Sequence, residues 1–354
     1  MGLGKCCRLR LRGHLAWVGG LLDGAERVSG WCRTGCGGRG GLRGGARRGR
    51  PRRTSLVPVQ AGHTRGMGSI YRDERGRRSV QSWCADQLER WTVPHERVEV
   101  TAKGAPTHIV AAGSGATTVV FLPGTNFNAA SSLPLATALV TAGHRVLLVD
   151  VPGQPGLSSA GRGPSDGRLS WYGAWLAETL KELSVGPVTV LGHSFGAAVA
   201  VSCASPGVER QVLVCPGGLT RLRVSPGVMA VSAAWYLRPT PQRSARLLRA
   251  MHAPGHQPRA ELVEWMTLVG RHVRSSGSPG GADVPPTPLR RCVVAGEHDT
   301  FLPPRRLGPA VRAAFGIDLD VVPRSGHLLV DEAPAYVAAL IDHVGGTRAS
   351  PEAT

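Results

Sequence analysis

The residues best suited to chemistry in this chain are Gly192-His193-Ser194-Phe195-Gly196, a G-x-S-x-G pentapeptide within VTVLGHSFGAAVAVSCA (188–204). With 48 glycines among 354 residues, such a pattern arises easily by accident, so the pentapeptide alone carries little weight. Its setting carries more. A β-branched run (187–191) ends just before it, and a helix of small residues (197–204) begins just after. A serine at so sharp a strand-to-helix turn adopts strained backbone angles, and Gly192 and Gly196 let strand and helix approach. The turn would raise the hydroxyl above the sheet edge, beside the positive end of the following helix.

A serine hydroxyl is a weak nucleophile near neutral pH and needs a base to take its proton. Among twelve histidines, His327 is best placed: it lies in VVPRSGHLLVDEAP, after an expected strand and before an expected helix. His343 falls inside the last helix, while His252, His256 and His272 fall in a helical interval between strands. His193, next to the serine, reads as structural. The imidazole in turn needs a carboxylate to fix its tautomer. Asp299 is four residues past a strand ending at residue 295, with His298 beside it and Glu297 as the neighbouring alternative acid. Two amide donors must also face the developing oxyanion. One is expected from Phe195, directly after the nucleophile. The other should come from the loop after TTVVFL (117–122), where Gly124 allows close approach and either Thr125 or Asn126 could donate. Such a set performs acyl transfer with no metal and no organic cofactor.

The elements that must position these residues alternate regularly. Helical spacing covers 81–91, 129–141, 170–183, 306–315 and 333–344. Strand-like runs cover 97–101, 107–112, 117–122, 144–150, 187–191, 211–215, 291–295 and 319–322. Near-continuous apolar strands separated by helices predict an α/β fold, a doubly wound and mostly parallel sheet covered on both faces. Residues 219–288 break the rhythm with several helices and read as a cap inserted between late strands. The expected organisation is a leader over 1–78, a core over 79–218 and 289–346, the cap between them, and a flexible tail over 347–354.

The leader differs in kind from the rest. Residues 1–66 hold 14 of the 42 Lys and Arg but only two of the 24 acids, and 17 of the 48 glycines. Clustered arginines repel and glycine buries nothing, so this segment is expected to be disordered, with Met67 a plausible later start. The apolar stretch 15–22 contains two glycines, ends at Asp23 and lacks a cleavage pattern, against a signal peptide. No run of about 18 apolar residues exists to span a membrane. The Arg-Gly stretch 35–53 resembles loosely RNA-binding segments, but a plain tail is the favoured reading and nucleic acid is not expected as a partner. Of eight cysteines, Cys32 and Cys36 lack a second zinc-ligand pair, and Cys84, Cys203, Cys215 and Cys292 read as scattered free thiols. That pattern points to a reducing, cytoplasmic setting.

FLPGTN (121–126), LLVDVPGQPGLS (147–158), LGHSFG (191–196), AGEHD (295–299) and SGH (325–327) together resemble the α/β-hydrolases that carry a helical cap, over residues from about 95 to 344. The resemblance implies Ser194, Asp299 and His327 as a catalytic triad, in that family's chain order. Two departures stand out. Pro123-Gly124 replaces the frequent His-Gly before the oxyanion residue. The loop after Asp150 is one residue longer than usual, which is expected to alter only the pocket rim. A serine nucleophile argues against members that open epoxides or remove halides.

The implied function is hydrolysis of a small ester, lactone or thioester. The same triad acting on a carbon–carbon or peptide bond is the alternative, and a non-catalytic ligand-binding protein of this fold is a third. Nine arginines against three acids make the cap basic, which could attract an anionic substrate or acyl carrier, but Arg243, Arg246 and Arg249 repeat along one helical face and favour the reading of a solvated surface. Trp235, Tyr236, Met251, Trp265 and Met266 could line an acyl pocket or simply pack the cap. Composition leaves oligomeric state open.

Overall fold

The computed structural model describes residues 68–164, 166–222, 224–274, 280–285 and 289–345. The expected leader up to residue 67 and the expected tail lie outside the described residues.

The chain enters through a helix, α1 (Glu74–Arg90), whose first turn is capped by Asp73 accepting from the Gly76 amide at 2.7 Å. The fold therefore begins before residue 79. Ile70 and Tyr71 are buried, held by bridges from Ser69 to Gly161 and from Tyr71 to Val273. A hairpin follows, β1 (His95–Ala102) and β2 (Ala105–Ala112), turning at Lys103 and Gly104 with φ of 51° and 70°. Both positive values mark the turn type whose twist matches the strands.

Next come β3 (Thr118–Leu122), a short 3-10 turn (Ala130–Ser132), α2 (Leu133–Thr141), β4 (Arg145–Val149) and α3 (Arg168–Glu182). The series continues with β5 (Val188–His193), α4 (Phe195–Val201) and β6 (Val208–Val214). Three helices then intervene, α5 (Pro226–Leu237), α6 (Pro241–Met251) and α7 (Ala260–His272). The chain returns through β7 (Arg290–Gly296), α8 (Pro304–Phe315) and β8 (Asp320–Val322), and ends with α9 (Leu329–Glu332) and α10 (Pro334–Gly345).

The eight strands form one sheet in the order β1-β2-β4-β3-β5-β6-β7-β8. β2 runs antiparallel to β1 and β4, and every other pairing is parallel. The sheet is thus doubly wound and mostly parallel. Its central strands are apolar because helices cover both faces: Val119 to Leu122, Val190, Leu191 and Val212 to Val214 are essentially inaccessible. The strand order reverses direction between β3 and β4, so the carboxyl ends of β3 and β5 flank a natural crevice.

The long apolar reading over 129–141 divides into two pieces, since Pro134 has no amide to donate and suits only a helix start. Among the described residues no helix is long and apolar enough to cross a membrane.

Candidate active site

Ser194 sits between β5 and α4 with φ 51° and ψ −108°, a strained conformation for a residue with a side chain. Two glycines make the turn fit. A Cβ at Gly196 would lie 2.0 Å from the Leu122 carbonyl oxygen, and one at Gly192 would lie 2.5 Å from the Ala197 Cα. Backbone, not a movable side chain, occupies both places. The Ser194 amide donates to the Val214 carbonyl at 2.9 Å, anchoring the turn to β6.

His327 comes from the loop between β8 and α9, and its Nε2 lies 3.1 Å from the Ser194 hydroxyl. Its Nδ1 lies 2.8 Å from Asp299 Oδ2. Asp299, from the loop after β7, has its other oxygen committed: Oδ1 accepts from the Phe301 and Leu302 amides, each at 2.8 Å. The neighbouring Glu297 is exposed and accepts from the Arg324 amide at 3.0 Å, away from the imidazole. Serine, imidazole and aspartate, 133 and 28 positions apart, thus meet in one hydrogen-bonded line.

On the opposite side of the serine, the Phe195 amide is the first of α4 and has no acceptor within its helix. In the β3 loop the two candidates differ. The Asn126 amide donates to the Gln154 side-chain oxygen at 2.9 Å. The Thr125 amide meets no acceptor among the described residues. Gly124 lies against Ser194 and His193, a would-be Cβ there falling 3.4 Å from the serine Cβ.

A family model described as the alpha/beta hydrolase family matches residues 119–340. The chain belongs to the α/β-hydrolase family. It is similar to a 2-hydroxy-6-oxononadienedioate/2-hydroxy-6-oxononatrienedioate hydrolase of Cupriavidus pinatubonensis, 36% identical over 132 residues. That match spans 34% of this chain and 44% of the relative, so less than half of the relative's length is covered. Among solved structures, carboxylesterase CesB of Bacillus subtilis superposes with a TM-score of 0.62 at 19% identity, covering 78% of this chain and all of that one. Naproxen esterase of Bacillus subtilis gives 0.61 at 17% identity, over 75% of this chain and 96% of its own.

In this α/β-hydrolase, burial alone would raise the Asp299 carboxyl. The His327 charge, the hydrogen bond to it and the Leu302 and Phe301 amides outweigh that, holding the group below the ordinary carboxylate range. Cys215 directly follows β6 beside this pair, its sulfur within 4.8 Å of the Asp299 and His327 ligand atoms. Complete burial drives the thiol's pKa far up, with the Asp299 charge adding to the effect. The thiol stays neutral and donates a hydrogen bond to the same Asp299 carboxylate that the imidazole faces. His193 does not face the hydroxyl. Its Nε2 donates to the His327 carbonyl at 2.8 Å, so it pins the loop that carries the imidazole.

Several supporting groups were not visible in the sequence. Gln154, 2% exposed, sits in the lengthened loop after Asp150; that loop therefore reaches the β3 turn rather than only the pocket rim. Asp150 orders the same region, accepting from the Ala129 and Leu157 amides at 2.8 and 2.9 Å. Trp265 does not line an open pocket. It is fully buried, lies 4.8 Å from the Trp83 ring, and donates to the Asn126 carbonyl at 2.8 Å. The Met251 carbonyl, at the end of α6, accepts the His327 amide at 2.7 Å, tying the helical insertion to the histidine loop.

The Gln154 contact has a measurable consequence. Replacing Gln154 with leucine keeps the bulk but leaves the Asn126 amide facing carbon, which typically costs about 1–3 kcal/mol. The expected result is a urea midpoint lowered accordingly. A roughly tenfold fall in kcat should accompany it, because the β3 turn loses its anchor.

Proposed function

We propose that the protein is a serine hydrolase that cleaves a small ester, lactone or thioester through an acyl-enzyme. The observation that carries this reading is the Ser194–His327–Asp299 line, with Nε2 3.1 Å from the hydroxyl and Nδ1 2.8 Å from the carboxylate. His327 takes the serine proton as the hydroxyl attacks a carbonyl carbon. The resulting imidazolium is stabilised by Asp299, which stays ionised. The Phe195 and Thr125 amides hold the oxyanion, Thr125 in preference to Asn126 because the Asn126 amide is already bonded to Gln154. On collapse, His327 gives its proton to the leaving oxygen or sulfur. It then activates water to release the acid and restore the serine.

A fluorophosphonate probe tests this directly. The expected result is a single adduct on the peptide containing Ser194, absent from Ser194→Ala, together with turnover of p-nitrophenyl butyrate that the same substitution removes. Labelling elsewhere, or full ester turnover by Ser194→Ala, would reject the reading.

One observation favours a second chemistry. The Cupriavidus relative is named for hydrolysing a 2-hydroxy-6-oxo dienedioate, a carbon–carbon cleavage that the same three side chains could serve. Comparing p-nitrophenyl esters with a diketone separates the two, since only the second chemistry predicts diketone turnover above ester turnover.

A further inference from the structure

Three chain segments remote in sequence bring arginines to one seam beside the proposed site. Residue Ser69 pairs with Gly161, Tyr71 pairs with Val273, the Ile70 amide donates to Ala160 and the Arg274 amide donates to Ile70. Arg72, Arg162 and Arg274 all project from these paired segments. Arg168 opens α3, with its guanidinium carbon 5.3 Å from the centre of the Phe195 ring and 5.7 Å from that of Tyr172. Phe195 follows the nucleophile directly and packs edge-on against Tyr172 at 5.1 Å. The Phe195 ring therefore links Arg168, one member of this basic cluster, to the residue that follows Ser194.

Most arginines in the cluster have something to do. Arg274 donates to the Ser69 and Arg72 carbonyls, and Arg72 lies 5.3 Å over the Tyr236 ring. Arg162 is different. It is half-buried, and among the described residues the groups that act on its charge are Arg168, Arg274, Tyr236 and Tyr172, with no carboxylate and no hydrogen bond among them. Burial lowers its pKa, and the charges of Arg168 and Arg274 lower it further. The nearby acids serve elsewhere or lie in solvent: Asp73 caps α1, Asp283 accepts from Ser170 and Asp166 is exposed. A partly desolvated guanidinium facing other cations is costly unless an anion joins it. The positive end of α3, a fifteen-residue helix, points into the same region and adds to the attraction.

We infer that Arg162, flanked by Arg168 and Arg274, forms an anion subsite that receives a carboxylate borne by the substrate, a few atoms from the carbonyl that Ser194 attacks. This rests on the serine-hydrolase reading and narrows it to acids that carry both a scissile acyl bond and a second, ionised carboxyl. A carboxylate matches the planar guanidinium with two parallel hydrogen bonds, while the Phe195 and Tyr172 rings exclude water around them.

The test compares mono-4-nitrophenyl adipate, which carries the free carboxylate, with neutral 4-nitrophenyl hexanoate. The wild type is expected to favour the adipate ester in kcat/KM. In Arg162→Gln the ratio of the two kcat/KM values should fall by about 10- to 100-fold, and Arg162→Lys should keep part of it. Because both substrates are measured on one sample, any misfolded fraction cancels. An unchanged ratio in Arg162→Gln overturns the subsite. Turnover of neither ester by the wild type would instead remove the hydrolase reading. In that event, titration of adipate into Ser194→Ala still decides the subsite: heat of binding lost on adding Arg162→Gln supports it, and no binding rejects it.

Discussion

Replacing Asp299 with asparagine is expected to lower kcat for p-nitrophenyl butyrate by about 10⁴-fold, with the fold intact. The two oxygens of Asp299 have different partners, and that decides how an asparagine would sit. The Phe301 and Leu302 amides both donate to Oδ1, so the carboxamide must place its oxygen there. Its NH2 then faces His327 Nδ1, where Oδ2 stood at 2.8 Å. A donor at that position forces Nδ1 to accept and moves the ring proton to Nε2. In that tautomer Nε2 cannot take the Ser194 proton, and the imidazolium loses its counter-charge. A factor of 10⁴ corresponds to about 5.5 kcal/mol of transition-state stabilisation. The measurement is kcat under saturating substrate beside a thermal melt of both proteins. A loss below about tenfold would place the imidazole's partner elsewhere and deprive the proposed relay of its acid.

The parts of the fold that the sequence made legible are those with local causes. β5 and α4 declare themselves through a β-branched run, two glycines and a row of small residues, and each signal is needed by the turn itself. Asp299 and His327 were found because loops that follow parallel strands open onto one sheet edge, a rule of topology that needs no contact information. What escaped detection depends on partners far along the chain. Residues 68–73 (GSIYRD) follow directly on a glycine-rich, basic stretch, and nothing local says that Ile70 and Tyr71 are buried; the pairing with residues 161 and 273 does that. Gln154 looked like a rim residue because its function depends on a turn 28 positions earlier. The arginine seam escaped for the same reason. The regular spacing of Arg243, Arg246 and Arg249 drew attention to α6, where Arg246 and Arg249 are exposed and Arg243 donates to the Ala234 carbonyl. Arg162, Arg168 and Arg274 have no common period and become a cluster only when three segments pair.

The helical insertion illustrates how packing and chemistry are coupled. Met251 and His252 end α6 against the loop that carries His327. The Met251 carbonyl takes the His327 amide, while Glu332 bridges the Gly326 and Ala253 amides at 2.8 and 2.6 Å. His252 Nε2 and Arg259 Nε reach the two oxygens of Asp331, at 3.3 and 2.6 Å. The imidazole that faces Ser194 is therefore positioned from three directions: the core through Asp299, the insertion through Met251, and the nucleophile strand through His193. Rigidity of this kind holds a reacting pair near its productive distance, which is where a positioned base gains most of its effect.

The His193 contact makes a separate prediction about acid. Burial, with His327 close by, pushes the His193 pKa down to about 3 from an ordinary value of 6.5. Between those two pH values the unfolded chain binds a proton that the folded protein refuses. The stability gained by keeping His193 neutral is thus fully present above about pH 6.5 and declines as the pH falls. The slope is about 1.4 kcal/mol per pH unit, which makes a loss of about 3 kcal/mol by pH 4.5. Asp299 acts at lower pH. Its depressed carboxyl contributes stability above the unfolded carboxylate value of 3.8 and gives it up only below that. The interval from pH 6.5 to 4.5 therefore isolates the histidine from the aspartate. Urea midpoints taken across it should fall steadily for the wild type. In His193→Gln, which keeps a donor for the His327 carbonyl but cannot titrate, the fall should be much shallower from a lower starting point. Equal slopes in the two proteins would assign the acid sensitivity to other groups and leave His193 only its role in holding the loop.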